Sequence, residues 1–566
     1  MMGDLPRGRR LRALLCAVLA LLLLCGCAAG AGAGSLSGLE VQVDGAPVAE
    51  GGHEREEDYA AAFRTHWLTV GPLTVHMENR IYEETLLRDE ARELLRALAA
   101  MERATGAAPG ELAVYIVGEL AGGRPVAAEG KVFCTLRDFD SGEAYEALAG
   151  AAYGLRAQWQ RVGLAAWVFG EANDEGLRAW YADGAHALTA SCSALHLSDA
   201  LSDGETVRAA RDTARSLCAY LIENEGFAAF RETADPAAIL PAWAESLGIT
   251  PAPSLPEGSA ALAELRVEEA RNYRCILRVQ NYSVYVADVD WLPDTDGLYL
   301  WLCALFAGME RVEERIRAEA PSAAAHAAER LAEPVRIVFT DEKNSISGGH
   351  VSFTNYERNE IMLTELDAIW HEMTHRLLEH PGNRELDWEC EAVAQHFSGA
   401  WKDYPYRLNR FLTDYEAFRP CLAEAFEEDE TLLQGVWALY RSLADPDRLE
   451  DGDLDAFYRA CGVTTLLLYE RGVRSEGYGL LGRSVAEVYG ARSAPDLKSD
   501  EGNALSYLEA QVFLEFLAEK YGMDAVIDAY LKGLGLGEAF GLGYPELYAE
   551  AVSAYAARYG ALLGLD

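Results

Sequence analysis

The chain has 566 residues, enough at roughly 150 residues per domain for two to four domains with sizeable cores. Half of the residues are hydrophobic and a quarter are charged, a globular balance that excludes disordered and fibrous architectures for most of the length. Its 49 basic and 90 acidic side chains give a formal charge of −41, a field that repels phosphate backbones and excludes nucleic acid as a partner.

Arg7, Arg9, Arg10 and Arg12 precede an apolar run from Leu14 to Leu24. These are the charged and hydrophobic regions of a secretory signal, and the run is too short to span a bilayer. It ends in Leu24-Cys25-Gly26-Cys27, which resembles the lipobox of bacterial lipoproteins. That resemblance makes residues 1–26 a signal peptide and Cys27 the lipidated mature N-terminus; Cys25 fits worse, because Leu24 would then stand where a small residue is required. An ordinary cleaved signal peptide is the alternative. Residues 27–38, rich in Ala, Gly and Ser, read as a flexible tether. The expected location is extracytoplasmic, lipid-anchored to the bacterial cell membrane. Removal of residues 1–26 takes away four arginines and Asp4, a net of +3, and leaves about −44.

Three of the eleven cysteines lie in the export segment. Cys134, Cys192, Cys218, Cys275, Cys303, Cys390, Cys421 and Cys461 are scattered without C-x-x-C pairs, so most are expected as small core hydrophobes, with room for one or two disulfides.

Beyond the tether the hydrophobic periodicity is mostly helical, with strand-like runs at Leu112–Val117 and Pro334–Phe339. The class expected is α+β, mostly helical. A helical segment ending in Met101-Glu102-Arg103 precedes the first run, and one ending in Met309-Glu310-Arg311 precedes the second. Gly130-Lys131-Val132-Phe133 then stands where Gly349-His350-Val351-Ser352 stands later. Asn173 to Tyr181 echoes Glu389 to Phe397, and Ala214–Gly226 matches Ala510–Gly522 without a gap. These echoes predict two copies of one module; chance likeness of two Ala-, Leu- and Glu-rich stretches is the alternative. Glu175 to Arg211 spans 36 positions and Glu391 to Tyr507 spans 116, so the second copy carries a helical insertion of 80 at about 403–489.

The sharpest local signal is His371-Glu372-Met373-Thr374-His375. Thr364 with Asp367 predicts a capping-box start and Pro381-Gly382 a stop, giving a helix over 365–379. Leu366, Ile369, Trp370, Met373 and Leu377 form its expected buried stripe. His371 and His375, four apart, point the same way, and two imidazoles on one helix face suit zinc, which in a catalytic site takes a third protein ligand and an open position. Glu391, on a helix predicted over 385–401, is the expected third ligand, with Glu389 as its competitor. Glu372 remains to act as general base and then acid.

The chain here resembles the gluzincins, the zinc metallopeptidases that include thermolysin and the M1-family aminopeptidases. The likeness rests on the His371–His375 motif and on Trp388-Glu389-Cys390-Glu391-Ala392-Val393-Ala394, similar to the pattern W-L-N-E-G-F-A, which selects Glu391 over Glu389. Ser506-Tyr507-Leu508-Glu509-Ala510 is similar to the family helix that opens Pro-Tyr-x-x-Gly, and this implies that Tyr507 hydrogen-bonds the oxyanion. The resemblance covers about half the chain, from Tyr282 onward, and implies hydrolysis of peptide bonds in a peptide or protein substrate, with Zn2+ as cofactor. Ser347 to Ser352 carries no glutamate where the aminopeptidases hold the substrate amine, so an endopeptidase is expected, with that stretch as an edge strand for an extended peptide.

The resulting organisation is a degenerate gluzincin-like module at 39–270 and a catalytic one at 271–566, each a small sheet followed by a helical subdomain. In the first, Gly150, Ala151 and Gly154 fall where His371, Glu372 and His375 stand, Arg211 replaces Tyr507, and Glu175 survives as a surface or capping carboxylate. The rival expectation is a lipoprotein binding or scaffold module with structural zinc or none.

Overall fold

A computed structural model describes residue 36 and residues 38–565, apart from 54–62, 342–351, 379–387, 399–413, 420–428, 447–452, 471–499, 535–538 and scattered runs of one to three positions. Cys27 and the whole export segment lie outside the described residues. Helix dominates, at 58%, and the strands form two six-stranded mixed sheets. The chain divides into two compact units, residues 1–180 with 211–234, and residues 181–210 with 235–566.

The first unit holds β1 (Ala49–His53), β2 (Phe63–Val70), β3 (Leu73–Glu78), β4 (Leu112–Ile116), β5 (Val126–Ala128) and β6 (Lys131–Cys134), ordered β1-β2-β3-β4-β6-β5. Pairing is parallel only between β3 and β4 and between β4 and β6. Val75, Val114 and Val132 share one register row and are fully buried, while His76, Tyr115 and Phe133 in the next row stack ring on ring. Helix α1 (Glu84–Thr105) buries Leu87, Ala91, Leu94, Leu98 and Met101 at the spacing of one helix face. It is followed by α2 (Leu136–Ser141), α3 (Glu143–Tyr153), α4 (Gln158–Phe169), α5 (Asp174–Trp180) and α6 (Gly204–Asn224); α6 enters this unit at Arg211.

The second unit holds β7 (Arg266–Glu268), β8 (Cys275–Val279), β9 (Tyr282–Val286), β10 (Val335–Phe339), β11 (Phe353–Asn355) and β12 (Glu360–Leu363), ordered β7-β8-β9-β10-β12-β11. Strand for strand this is the order of the first sheet, with parallel pairing at the same two steps. Val284, Ile337 and Ile361 form its buried row, where the first sheet has its three valines. Strand β7 precedes the boundary placed at 270 and edges this sheet. Besides helices at Ala187–Ala190 and Leu240–Leu247, its helices include α7 (Thr295–Glu319), α8 (Ala324–Ala332), α9 (Ile369–Leu377), α10 (Trp388–Phe397), α11 (Glu430–Leu443), α12 (Leu454–Glu470), α13 (Asp500–Tyr521), α14 (Met523–Leu531) and α15 (Tyr544–Tyr559). The Asp294 carboxylate starts α7 by accepting from the Gly297 N–H. Helices α11 and α12 fall in the 403–489 insertion.

Helices α6 and α13 end alike. Gly226 and Gly522, the last pair of the gapless match, have φ of 90° and 89°, a conformation open to glycine at little cost, and each is followed directly by a further helix. The pairing of Gly130–Phe133 with Gly349–Ser352 fails by strand order. Lys131–Cys134 is β6, whose topological equivalent is β12 at Glu360–Leu363, and residues 349–351 lie outside the described residues. Seven cysteines, Cys134, Cys192, Cys218, Cys275, Cys303, Cys390 and Cys461, are buried and unbridged; Cys421 is not among the described residues.

Candidate metal centre

The His371 helix begins later than its sequence suggests. Helix α9 starts at Ile369 after an Ala368 N-cap without a side-chain cap. The Thr364 N–H is instead taken by the Ser352 hydroxyl at 3.0 Å, so Thr364 serves the end of the sheet and not the helix. Ile369, Trp370, Met373 and Leu377 are buried as expected, whereas Leu366 lies before the helix and is half-buried. Trp370 packs against α7 at Gly308, where an added Cβ would fall 1.9 Å from the indole Nε1. The close approach of α7 and α9 therefore depends on the missing side chain.

Helix α10 packs beside α9 and brings Glu391 to the two histidines. Glu391 Oε2 lies 2.9 Å from His371 Nε2 and 3.3 Å from His375 Nε2, and the two Nε2 atoms are 3.0 Å apart. Donor atoms of these three residues, and of no other three among the described residues, form a group that could hold a metal ion. Glu389 is buried on the same helix but is not a member. Tetrahedral zinc with bonds of about 2.0–2.1 Å sets its ligand atoms roughly 3.3 Å apart, so the triangle fits such an ion with little adjustment.

Electrostatics describe the same triangle. Burial alone would push the Glu391 carboxyl up, but the charge of His375 and hydrogen bonds from both histidines hold it well below the usual carboxylate range. Burial would lower His375, and Glu391 overrides it, raising its pKa with a smaller push from Glu372.

Glu372 is 5% exposed. Burial raises its pKa, while His375, His371 and a hydrogen bond from Thr354 restrain the rise. Thr354 lies on β11, and its Oγ1 is 2.8 Å from Glu372 Oε2 and 2.9 Å from the Glu372 carbonyl oxygen. Nothing in the local sequence marks this threonine; the contact spans 18 positions and needs β11 beside α9. Strand β11 is the edge of its sheet, paired with β12 alone among the described residues. Of the expected edge segment 347–352, only Ser352 is described.

Tyr507, the eighth of the 22 residues of α13 and not its opening residue, brings its ring centroid to 5.7 Å from that of His371. All five expected residues, His371, Glu372, His375, Glu391 and Tyr507, therefore meet in one place.

The first unit is built differently at its sheet's helical end. Helix α4, not α5, packs beside α3, so the echo of Asn173–Tyr181 with Glu389–Phe397 does not match the packing. Glu175 is exposed on α5. At Gly150 an added Cβ would meet Arg161 Cδ of α4 at 2.6 Å. Glu146 accepts from Arg211 Nη2 at 2.7 Å, and burial lifts its pKa to about 6 against the pull of Arg211 and Arg161.

Compared with known proteins, the chain matches no family model, no curated protein and no solved structure.

Proposed function

We propose that the chain is a zinc metallopeptidase of gluzincin type, an endopeptidase held outside the cytoplasm by a lipid on Cys27. The observation that carries this reading is the convergence of His371, His375 and Glu391 beside a buried, hydrogen-bonded Glu372. A structural metal site has no use for that last carboxylate.

Zinc held by the three donors would supply a Lewis acid for an acyl carbonyl and lower the pKa of water. The side chains perform the remaining tasks. Glu372 takes a proton from the attacking water on its free carboxylate oxygen and returns it to the leaving amine, as a base and then an acid. Its buried setting and the Thr354 bond keep one orientation through both steps. The Tyr507 hydroxyl donates to the oxyanion of the tetrahedral intermediate. Edge strand β11 offers backbone groups to an extended peptide, and 347–352 lacks the glutamate with which the aminopeptidases hold a free substrate amine.

The first unit is a non-catalytic relative of the second. This duplication is supported by two sheets of equal order and sense, by the paired helix ends at Gly226 and Gly522, and by the Arg161–Gly150 contact that leaves no ligand pair.

The test is metal dependence. Dialysis against a zinc chelator is expected to abolish cleavage of a quenched peptide library, and one equivalent of zinc to restore it; cleavage that survives chelation contradicts the reading.

A further inference from the structure

A second cluster of buried ionisable groups lies on the Glu391 helix itself. His396, five residues after Glu391, is 5% exposed, and each of its ring nitrogens faces a carboxylate. Nε2 is 2.6 Å from Glu319 Oε2 on α7, and Nδ1 is 3.3 Å from Glu515 Oε1 on α13. Arg315 on α7 reaches Glu319 Oε1 at 3.0 Å, Arg459 on α12 reaches Glu515 Oε2 at 2.7 Å, and Gln511 Nε2 donates to Glu515 Oε1 at 3.1 Å. Four helices meet in these bonds.

Such a cluster is a poor device for stability alone. Buried ion pairs recover little more than their desolvation cost, and apolar residues of equal volume often serve as well. What directional bonds add is register: apolar side chains let packed helices slide and rotate, whereas a ring bonded at both nitrogens does not. Here the register matters chemically. Helix α10 is ten residues long and carries the ligand Glu391, and α13 carries Tyr507 two turns before Glu515.

We propose that His396 is a positioning residue of the metal site, bridging Glu319 and Glu515 so that the Glu391 helix keeps one rotation against the Tyr507 helix. The proposal rests on the metallopeptidase reading above. Loss of the bridge lets α10 turn, and the Glu391 carboxylate no longer aims at the histidine pair.

The experiment uses the full chain as wild type, His396→Leu and His396→Gln, with zinc affinity measured by chelator competition and the visible spectrum recorded with cobalt(II) in place of zinc. His396→Leu is expected to bind zinc 10- to 100-fold more weakly, the usual cost of losing a ligand's supporting contacts, and to shift the cobalt bands. His396→Gln, whose amide reaches as far as Nε2 and can still bond Glu319, is expected to recover most of both. Should His396→Leu fail to fold, Glu515→Gln is measured the same way and is expected to weaken zinc and move the bands in the same direction. Variants that melt earlier yet keep the wild-type zinc affinity and cobalt spectrum would overturn the positioning role while leaving the peptidase reading intact. A wild type that binds no zinc would overturn both.

Discussion

At the scale of single residues, Glu372 is set between opposed forces. Burial favours its neutral form, and the two histidines with Thr354 favour the carboxylate. Deleting the Thr354 hydrogen bond removes one of the latter, so in Thr354→Val the Glu372 pKa rises further. The acid limb of the kcat/KM profile is then expected to move to higher pH, with kcat reduced about 10-fold or more at neutral pH; Thr354→Ser, which keeps the hydroxyl, should stay near wild type. An unmoved acid limb would place Thr354 outside the proton-transfer machinery. The grouping of His371 and His375 was legible from the sequence because helical spacing brings residues four apart to one face, with Glu372 standing between them. Thr354 was not, since a hydroxyl that bonds across 18 positions carries no periodic signal. His396 was equally hidden, its partners lying 77 and 119 positions away.

At the scale of elements, two contacts hold the helices that carry His371, His375 and Glu391. Gly308 on α7 lets Trp370 of α9 approach to a distance that a methyl group would block. Gly308→Ala is expected to cost about 1–3 kcal/mol by overpacking, read from denaturant midpoints, and to weaken zinc binding because α9 carries both histidines; a neutral substitution would mean that α7 and α9 separate freely. The His396 cluster gives a pH signature. Burial would raise Glu319 and Glu515, but His396 and the arginines hold both down at about 2. Carboxyls depressed in the folded state stabilise it above their unfolded pKa, and the gain disappears as pH falls toward 2. The melting temperature of the chain should thus fall between about pH 4.5 and 2, less steeply in Glu515→Gln, and equal slopes would contradict the assignment. Elements with local signals were readable, among them the strands within 112–117 and 334–339, and the gapless match that closes on Gly226 and Gly522 runs along two helices. The start of α9 was not, because Thr364 gives its N–H to Ser352. The echo at Glu175 misled for a related reason: short acidic helices look alike, and only packing shows that α4 is the partner of α3.

At the scale of the whole molecule, two units carry sheets of one topology, and one group of side chains that could hold a metal ion stands among the described residues. The account therefore expects one zinc per chain, lost entirely in His371→Ala; two zincs, or one that survives that change, would point to the first unit. Among the described residues no helix is long and apolar enough to cross a membrane. On the proposed reading a lipid on Cys27 attaches the chain, and Cys27→Ser is expected to release it from the membrane fraction. The most direct test of the central claim compares hydrolysis of a quenched peptide library by wild type and Glu372→Gln, each loaded with an equal amount of zinc. Cleavage by wild type and a loss of at least about a hundredfold in the variant is the predicted result. Equal cleavage by both proteins, or none by either, would contradict it.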